Sequence, residues 1–204
     1  MIPAPEALRR LREGNRRFAD NLSGSDAALN HDRRAELTSG QEPFAIILGC
    51  SDSRVPAELV FDQGLGDLFV IRVAGNIVAP SQIGSVEFAA EKFATRLVVV
   101  LGHTQCGAID ATVDELQRAS GSRSRNLAAI VDRVRPSVEG LLPAFRHDRA
   151  ALTREAVRAN IRASVDHLRQ GSELLEELIL KKGLTVVGAE YSLETGLVEF
   201  FNDA

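Results

Sequence analysis

The chain is organised around Phe44-Ala45-Ile46-Ile47-Leu48-Gly49-Cys50-Ser51-Asp52-Ser53-Arg54. The first part of this stretch is a short, continuous apolar run, which predicts a β-strand buried on both faces of a parallel sheet. The second part places a thiol, a carboxylate and a guanidinium directly after that strand. Open α/β sheets bind their ligands beyond the carboxyl ends of the strands, so this position favours a functional site.

A second strand with a similar ending lies at Leu97-Val98-Val99-Val100-Leu101-Gly102-His103-Thr104-Gln105-Cys106-Gly107. If the two strands are parallel, Cys50 and His103 face the same edge of the sheet. Cys106 is expected at the start of the next helix, where the helix dipole and free N–H groups favour a thiolate. Two thiolates and one imidazole suit zinc, and three protein ligands leave the fourth position open, as in catalytic zinc sites.

We therefore predict one zinc site formed by Cys50, His103 and Cys106. Taken singly, His103 is also typical of an ordinary loop histidine, and Cys106 of a small buried apolar residue. The metal site is favoured because both cysteines of the chain lie at strand ends, one of them beside the histidine.

Asp52 and Arg54 form a second pair close to the predicted zinc site. One interpretation is an ion pair that only fixes the loop. The other is that Arg54 lowers the pKa of Asp52 and keeps it ionised. The carboxylate then accepts a hydrogen bond from water on the metal, as groups around catalytic metals commonly do.

Strands alternate with helices along most of the chain. The predicted strands are 44–49, 68–73, 97–101, 185–189 and 197–201, and the predicted helices are 5–20, 31–38, 56–62, 83–93, 106–118, 127–134 and 152–182. The helix at 127–134 is expected to stop near Pro136, and the last helix is expected to be one long helix that Gly171 can interrupt. This order predicts an α/β fold with a mainly parallel central sheet flanked by helices, with an antiparallel last strand and an N-terminal helical arm over 1–40.

The bulk composition limits the classes of function. The chain has 204 residues, of which 45% are hydrophobic and 25% charged, as expected for one globular domain over 1–204. The net charge of −4 gives no attraction to nucleic acid or anionic membranes. There is no apolar run long enough for a membrane span, and the N-terminus leads into charged sequence rather than an apolar signal core. We therefore expect a cytoplasmic protein, whose reducing surroundings argue against a disulfide.

The two strand-end motifs, Cys50–Pro56 and Gly102–Ala108, together resemble those of the β-class carbonic anhydrases. Three further segments are similar to that family: Asp62–Asn76, Gly84–Ala89 and Tyr191–Gly196. The similarity covers residues 40–115 and 184–201.

The resemblance implies reversible hydration of CO2 to bicarbonate and a proton by zinc-bound hydroxide. It implies one Zn2+ per subunit on Cys50, His103 and Cys106, with Asp52 and Arg54 as the catalytic pair. It also implies four parallel strands plus an antiparallel edge strand, in a homodimer or a dimer of dimers (a homotetramer).

The resemblance further implies four substrate-binding residues. Gln41 would donate an amide hydrogen bond to the substrate, and Phe69 would line the apolar CO2 pocket. Phe88 lies at the pocket edge, where the family often has a tyrosine, and the Gly107 N–H would approach the substrate. In this family some of these residues come from the neighbouring subunit.

Two other functions are compatible with the same residues. An enzyme of this architecture can hydrolyse carbonyl sulfide or carbon disulfide, which are attacked in the same way as CO2. A zinc-stabilised protein without turnover is the second alternative. Zinc deaminases and thioredoxin-like proteins fit poorly, because the chain lacks His-x-Glu, Pro-Cys-x-x-Cys and Cys-x-x-Cys motifs.

Overall fold

The computed structural model describes residues 2–22, 31–117 and 124–201. Its strands are β1 Ala45–Gly49, β2 Leu68–Arg72, β3 Leu97–His103, β4 Thr185–Tyr191 and β5 Val198–Phe200. They form a five-stranded sheet in the order β2-β1-β3-β4-β5. β5 pairs antiparallel with β4, and the other pairs are parallel. The predicted sheet of four parallel strands and one antiparallel edge strand is confirmed.

Helices connect and cover these strands. The α-helices are α1 Ala4–Ala19, α2 His31–Glu36, α3 Ala57–Val60, α4 Pro80–Lys92, α5 Gly107–Gln117, α6 Arg125–Val138, α7 Arg149–Gln170 and α8 Glu173–Lys182. Short 3-10 helices lie at Leu37–Ser39, Ala74–Asn76 and Glu139–Leu141. Arg118, the last residue of one predicted helix, lies outside the described part. Within the described ranges, no helix is long and apolar enough to cross a membrane.

The sheet has two buried faces because successive side chains point to opposite sides. On one face, Ile46, Leu48 and Val100 pack with apolar residues of α4 to α8. On the other face, Ile47, Val99 and Leu101 pack with residues of α1 and α3. Both central strands, β1 and β3, are buried at every position, which explains why their sequences are continuous apolar runs rather than alternating patterns.

The N-terminal helix α1 packs on this chain's own sheet. Ala7 and Leu11 are fully buried in the second face. Gly14 lies so close to the Phe61 carbonyl that a Cβ has no room there. The buried Asn15 donates its side-chain N–H groups to the carbonyls of Val60 at 3.1 Å and Gly196 at 2.9 Å. Of the helical arm expected over 1–40, residues 1 and 23–30 lie outside the described part.

The long helix predicted over 152–182 is divided into two helices. The break is at Gly171, where a Cβ would collide with the His167 carbonyl. Ser172 then starts α8, because its hydroxyl accepts a hydrogen bond from the Leu175 N–H at 3.2 Å. A serine at this position satisfies one of the free N–H groups of a new helix.

The expected stop near Pro136 is wrong, because α6 continues through Pro136 to Val138. Proline removes a hydrogen bond from a helix interior. Val134 and Val138, on either side of it, are both fully buried in the core. The burial of this helix face therefore outweighs the tendency of Pro136 to end the helix. Helix α4 also begins at Pro80 rather than at 83, since proline is favoured in the first turn.

Candidate metal centre

The three predicted zinc ligands meet at the carboxyl edge of the sheet. Cys50 directly follows β1, His103 is the last residue of β3, and Cys106 directly precedes α5. The parallel register pairs Gly49 with Leu101 and so aligns the two strand ends. The Sγ atoms of the cysteines are 4.0 Å apart. The ligand atoms of the three residues lie within 4.8 Å of one another, and all three residues are buried.

The imidazole of His103 is oriented by a neighbouring carbonyl. Its Nδ1–H donates to the Thr104 carbonyl at 2.9 Å. This contact leaves Nε2 with a free lone pair, as in histidines that bind metals through Nε2. Nε2 is buried and makes no hydrogen bond within the described chain. A buried nitrogen in this state is ready to bind a cation.

The two thiols hydrogen-bond to each other, and this contact shifts their pKa values in opposite directions. The pKa of Cys50 is lowered, chiefly because Cys106 hydrogen-bonds to its thiolate, with the Gly75 N–H adding to the effect. The pKa of Cys106 is raised by the same hydrogen bond to Cys50, by burial and by the negative charge of Cys50. Either sulfur can be the donor of the single hydrogen bond between them. A divalent cation would compensate both charges and favour two thiolates.

These features test whether zinc fits the site. Two cysteine sulfurs and one histidine nitrogen are a donor set that zinc prefers, and a site with three protein ligands keeps a fourth position open. The buried, unbonded Nε2 of His103 and the two buried sulfurs, 4.0 Å apart, are the features that a bound cation would satisfy. The residues present therefore fit zinc.

Asp52 lies beside this trio and is held by Arg54. The Arg54 guanidinium donates to both carboxylate oxygens, at 2.9 Å and 2.7 Å, and the Arg54 backbone N–H donates at 2.9 Å. These hydrogen bonds hold the pKa of Asp52 well below its usual range. Oδ2 of Asp52 is 3.8 Å from Nε2 of His103, so an ionised carboxylate borders the place where the three ligand atoms meet.

Arginines connect the site to neighbouring backbone. Arg72, at the end of β2, donates to the carbonyls of Cys50 at 3.0 Å and Asp52 at 2.6 Å. Arg54 donates to the Gln105 carbonyl at 3.3 Å. The contact between Arg54 and Gln105 joins the loop after β1 to the loop after β3. The Asp52–Arg54 pair and the two ligand-bearing loops therefore form one connected unit.

Three supporting residues were not predicted from the sequence. The Gly75 N–H donates to the Sγ of Cys50 at 3.4 Å. Gly75 has a φ of 71°, a conformation that favours glycine. Asn160 donates to the Gly75 carbonyl at 2.8 Å, and Ser164 donates to the Asn76 carbonyl at 3.1 Å. In the sequence, Asn160 and Ser164 stand out only as two polar residues, four positions apart, on the otherwise apolar face of α7.

Gly107 lies beside the trio, whereas Phe69 lies well below it along the sheet. Gly107 follows Cys106 at the start of α5, and the space where its Cβ would lie is open. Phe69 pairs with Ile46, four residues before Cys50. At about 3.3 Å per residue, Phe69 lies roughly 13 Å below Cys50 along the strand direction.

Phe88 and Gln41 also lie away from the trio. Phe88 is 52% exposed and belongs to an aromatic cluster, with ring centroids 6.1 Å from Phe69 and 5.7 Å from Phe93. Gln41 precedes β1 and lines a groove of about 490 Å³ that Leu65 and Gly66 also line. The structure therefore brings together the trio, Asp52, Arg54 and Gly107, whereas Gln41, Phe69 and Phe88 lie elsewhere on the same chain.

Comparison with known proteins identifies relatives that span most of the chain. A family model described as carbonic anhydrase matches residues 45–198. Carbonic anhydrase 2 of Mycobacterium tuberculosis is 38% identical over 192 residues, which cover 93% of this chain and 89% of that protein. The carbonic anhydrase of Mycolicibacterium smegmatis is 37% identical over 197 residues, covering 95% of this chain and 91% of that protein.

A solved structure has a similar fold. The β-carbonic anhydrase CafA of Aspergillus fumigatus superimposes with a TM-score of 0.76 at 25% identity, covering 93% of this chain and 88% of that chain. The region matched by the family model, residues 45–198, contains β1 to β4 and both ligand-bearing loops.

Proposed function

The chain belongs to the β-class carbonic anhydrase family, and we propose that it catalyses the reversible hydration of CO2 to bicarbonate and a proton at one zinc ion per subunit. Cys50, His103 and Cys106 would hold the zinc. The observation that carries this proposal is the buried trio, with ligand atoms within 4.8 Å of one another, bordered by an ionised carboxylate. When bound, zinc supplies Lewis-acid chemistry that lowers the pKa of water toward about 7.

Asp52 and Arg54 form the catalytic pair in this proposal. Arg54 occupies both carboxylate oxygens of Asp52 and keeps the charge in place. The ionised carboxylate can accept a hydrogen bond but cannot donate one. It therefore orients the reacting water so that a lone pair, rather than a proton, faces CO2.

The remaining substrate contacts involve a second subunit in this proposal. Gly107 offers its N–H beside Cys106. Gln41, Phe69 and Phe88 lie away from their own trio, and Phe88 is exposed. A homodimer, or a dimer of dimers, would allow these three residues to reach the partner's site, where the aromatic rings would form the apolar wall for CO2 and Gln41 would donate a hydrogen bond.

We assign the protein to the cytoplasm in this proposal, because a reducing compartment keeps the two buried free cysteines available as metal-binding thiols. The alternatives are less favoured. The mycobacterial relatives described above are named as carbonic anhydrases, which favours CO2 over carbonyl sulfide or carbon disulfide as the substrate. A purely structural zinc protein would not need the ionised carboxylate that Arg54 holds beside the trio.

The proposal is tested by stopped-flow CO2 hydration with zinc content measured on the same samples. Wild type is expected to contain one zinc per chain and to hydrate CO2. The Asp52→Asn variant is expected to retain zinc and to lose about 10–100-fold in activity, the range typical of groups that orient the ligands of a catalytic metal.

The outcome that contradicts the catalytic role of Asp52 is undiminished turnover in Asp52→Asn. Wild-type chain that holds zinc but does not hydrate CO2 would contradict the proposed function. Sulfide release from carbonyl sulfide, measured on the same wild-type sample, would then identify the alternative substrate.

A further inference from the structure

The loop after β3 (residues 104–106) lies against the end of β4 and the turn between β4 and β5 (residues 192–197). The Thr104 N–H donates to the Tyr191 carbonyl at 3.0 Å. The Leu193 N–H donates to the Thr104 hydroxyl oxygen at 3.0 Å. The turn therefore supports the ligand-bearing loop along its outer side, although the two are far apart in the sequence.

Glu194 is the centre of this contact. One carboxylate oxygen accepts from the Gln105 side-chain amide at 2.7 Å. The other accepts from the hydroxyls of Thr104 at 3.0 Å and Ser192 at 3.1 Å. Its own backbone N–H and these donors lower the pKa of Glu194, so the group remains an anion with several acceptor positions in use.

Two of the residues that Glu194 contacts, Thr104 and Gln105, have carbonyls that accept hydrogen bonds from the site. The Thr104 carbonyl accepts from Nδ1 of His103, the contact that leaves Nε2 free for the metal. The Gln105 carbonyl accepts from the Arg54 guanidinium, which holds Asp52. Gln105 has a φ of 57°, a left-handed conformation that costs free energy for a residue other than glycine and persists only when its surroundings hold it.

We propose that Glu194 is a positioning residue for the reaction: through Thr104 and Gln105 it fixes the orientation of His103 and of the Asp52–Arg54 pair. Among the described residues, its carboxylate makes no hydrogen bond to a metal ligand. The inference rests on the proposed function, because it assigns Glu194 to the same site. Groups that orient a metal ligand typically change metal affinity or activity by about 10–100-fold when they are removed.

A role confined to the stability of the turn is the alternative, and Glu199 provides a matched control. Glu199 lies on the same hairpin, and its carboxylate binds Arg158 at 2.9 Å, away from the loop after β3. Glu194→Ala and Glu199→Ala remove the same atoms from the same hairpin. Only Glu194→Ala breaks contacts with Thr104 and Gln105.

The experiment compares wild type, Glu194→Ala, Glu194→Gln and Glu199→Ala. Zinc affinity is measured by competition with a chelator, ligand geometry by the absorption spectrum of the cobalt(II)-substituted protein, and catalysis by the pH profile of kcat/KM. Glu194→Ala is expected to bind zinc about 10-fold more weakly, to alter the cobalt spectrum and to shift the pH profile. Glu194→Gln keeps one acceptor oxygen and is expected to recover part of each effect, and Glu199→Ala is expected to match wild type in all three.

A second pair of variants covers the case in which Glu194→Ala does not fold. Thr104→Val removes the hydroxyl that joins the loop to Glu194, and Thr104→Ser keeps it. Thr104→Val is expected to change the cobalt spectrum, and Thr104→Ser to match wild type.

Equal zinc affinity, cobalt spectra and pH profiles in Glu194→Ala and Glu199→Ala would overturn the inference. So would a Thr104→Val spectrum identical to that of wild type. The metal measurements do not depend on turnover, so a wild-type chain that fails to hydrate CO2 would contradict the proposed function and still leave the role of Glu194 decided by zinc and cobalt binding.

Discussion

The loop after β1 (residues 50–54) and the loop after β3 both supply thiols to the candidate metal centre, but different contacts hold them. In the first loop, the Arg54 backbone and side chain bind Asp52, only two positions away. In the second loop, Thr104 binds Glu194, 90 positions later in the chain. The first loop is organised mainly by its own residues and the end of the adjoining strand, whereas the second is organised by a distant hairpin.

This difference shows how a site can combine a local motif with a tertiary one. The Asp52–Arg54 geometry is available as soon as the loop folds. The geometry around His103 needs β4, β5 and their turn in place first. Changes that break the contacts of the hairpin with Thr104 and Gln105 should therefore act on the second loop. Changes in α7 that break its contact with Gly75 should act on the first.

The largest expected effect comes from removing a thiol in either loop. Cys50→Ser and Cys106→Ser are each expected to lose tight zinc binding, with activity falling by more than the ~10–100-fold typical of groups around the ligands. The two losses should be alike, because each thiol supplies one ligand. Zinc binding is measured as the metal content after dialysis, and activity is measured by stopped-flow CO2 hydration. A variant that keeps full zinc and activity would show that its loop supplies no ligand.

A smaller effect is expected from the support behind the first loop. Asn160→Ala leaves the Gly75 carbonyl without its donor in a buried place, since Asn160 is 2% exposed. The expected cost is about 1–3 kcal/mol in the free energy of unfolding. Because Gly75 binds Cys50, zinc affinity should also fall. Urea unfolding and chelator competition are the measurements.

Thr95→Val is the matched control for this change. Thr95 is fully buried, and its hydroxyl donates to the Pro43 carbonyl at 2.7 Å, at the amino edge of the sheet. The Thr95→Val variant should lose a similar amount of the free energy of unfolding, with no change in zinc affinity. If Asn160→Ala and Thr95→Val affect zinc equally, the support from α7 is not specific to the first loop.

The smallest effect is expected at the base of the hairpin that holds the second loop. Arg158 binds Glu190 at 2.7 Å and Glu199 at 2.9 Å. Arg158→Leu leaves Glu190, which is 12% exposed, without its cation. The expected loss is about 1–2 kcal/mol at pH 7, since water screens part of the charge. Thermal unfolding measures it, and adding Glu190→Gln to the variant should recover part of the loss.

The effect of Arg158→Leu should also depend on pH. Burial raises the pKa of Glu190, and losing Arg158 raises it further. The folded variant then binds the proton more tightly than the unfolded chain, so its stability increases as the pH falls toward the ordinary glutamate value of 4.5. The difference from wild type should narrow between pH 7 and 4.5. A constant difference would show that lost packing, rather than an unpaired carboxylate, causes the destabilisation.

Much of the fold was predictable because its signals are local. Apolar runs such as Phe44–Gly49 and Leu97–Leu101 identify buried strands, and their alternation with helices identifies the parallel sheet. The sequence indicated that Gly171 could interrupt the long helix. It did not show that the segment forms two separate helices. The passage of α6 through Pro136 was not predictable, because the burial of Val134 and Val138 that outweighs the proline preference arises only from packing.

By itself, the sequence determined which side chains can form the site. Two cysteines and a histidine at the ends of two buried strands, with Asp52 and Arg54 beside one of them, limit the chemistry, because parallel strands bring their carboxyl ends to one edge. Only the tertiary structure decided how these groups are held. The Gly75–Cys50 contact, its support by Asn160 and the contacts of Glu194 join residues that are 25 to 90 positions apart. No local pattern encodes such distances, since they depend on how helices and hairpins pack against the sheet.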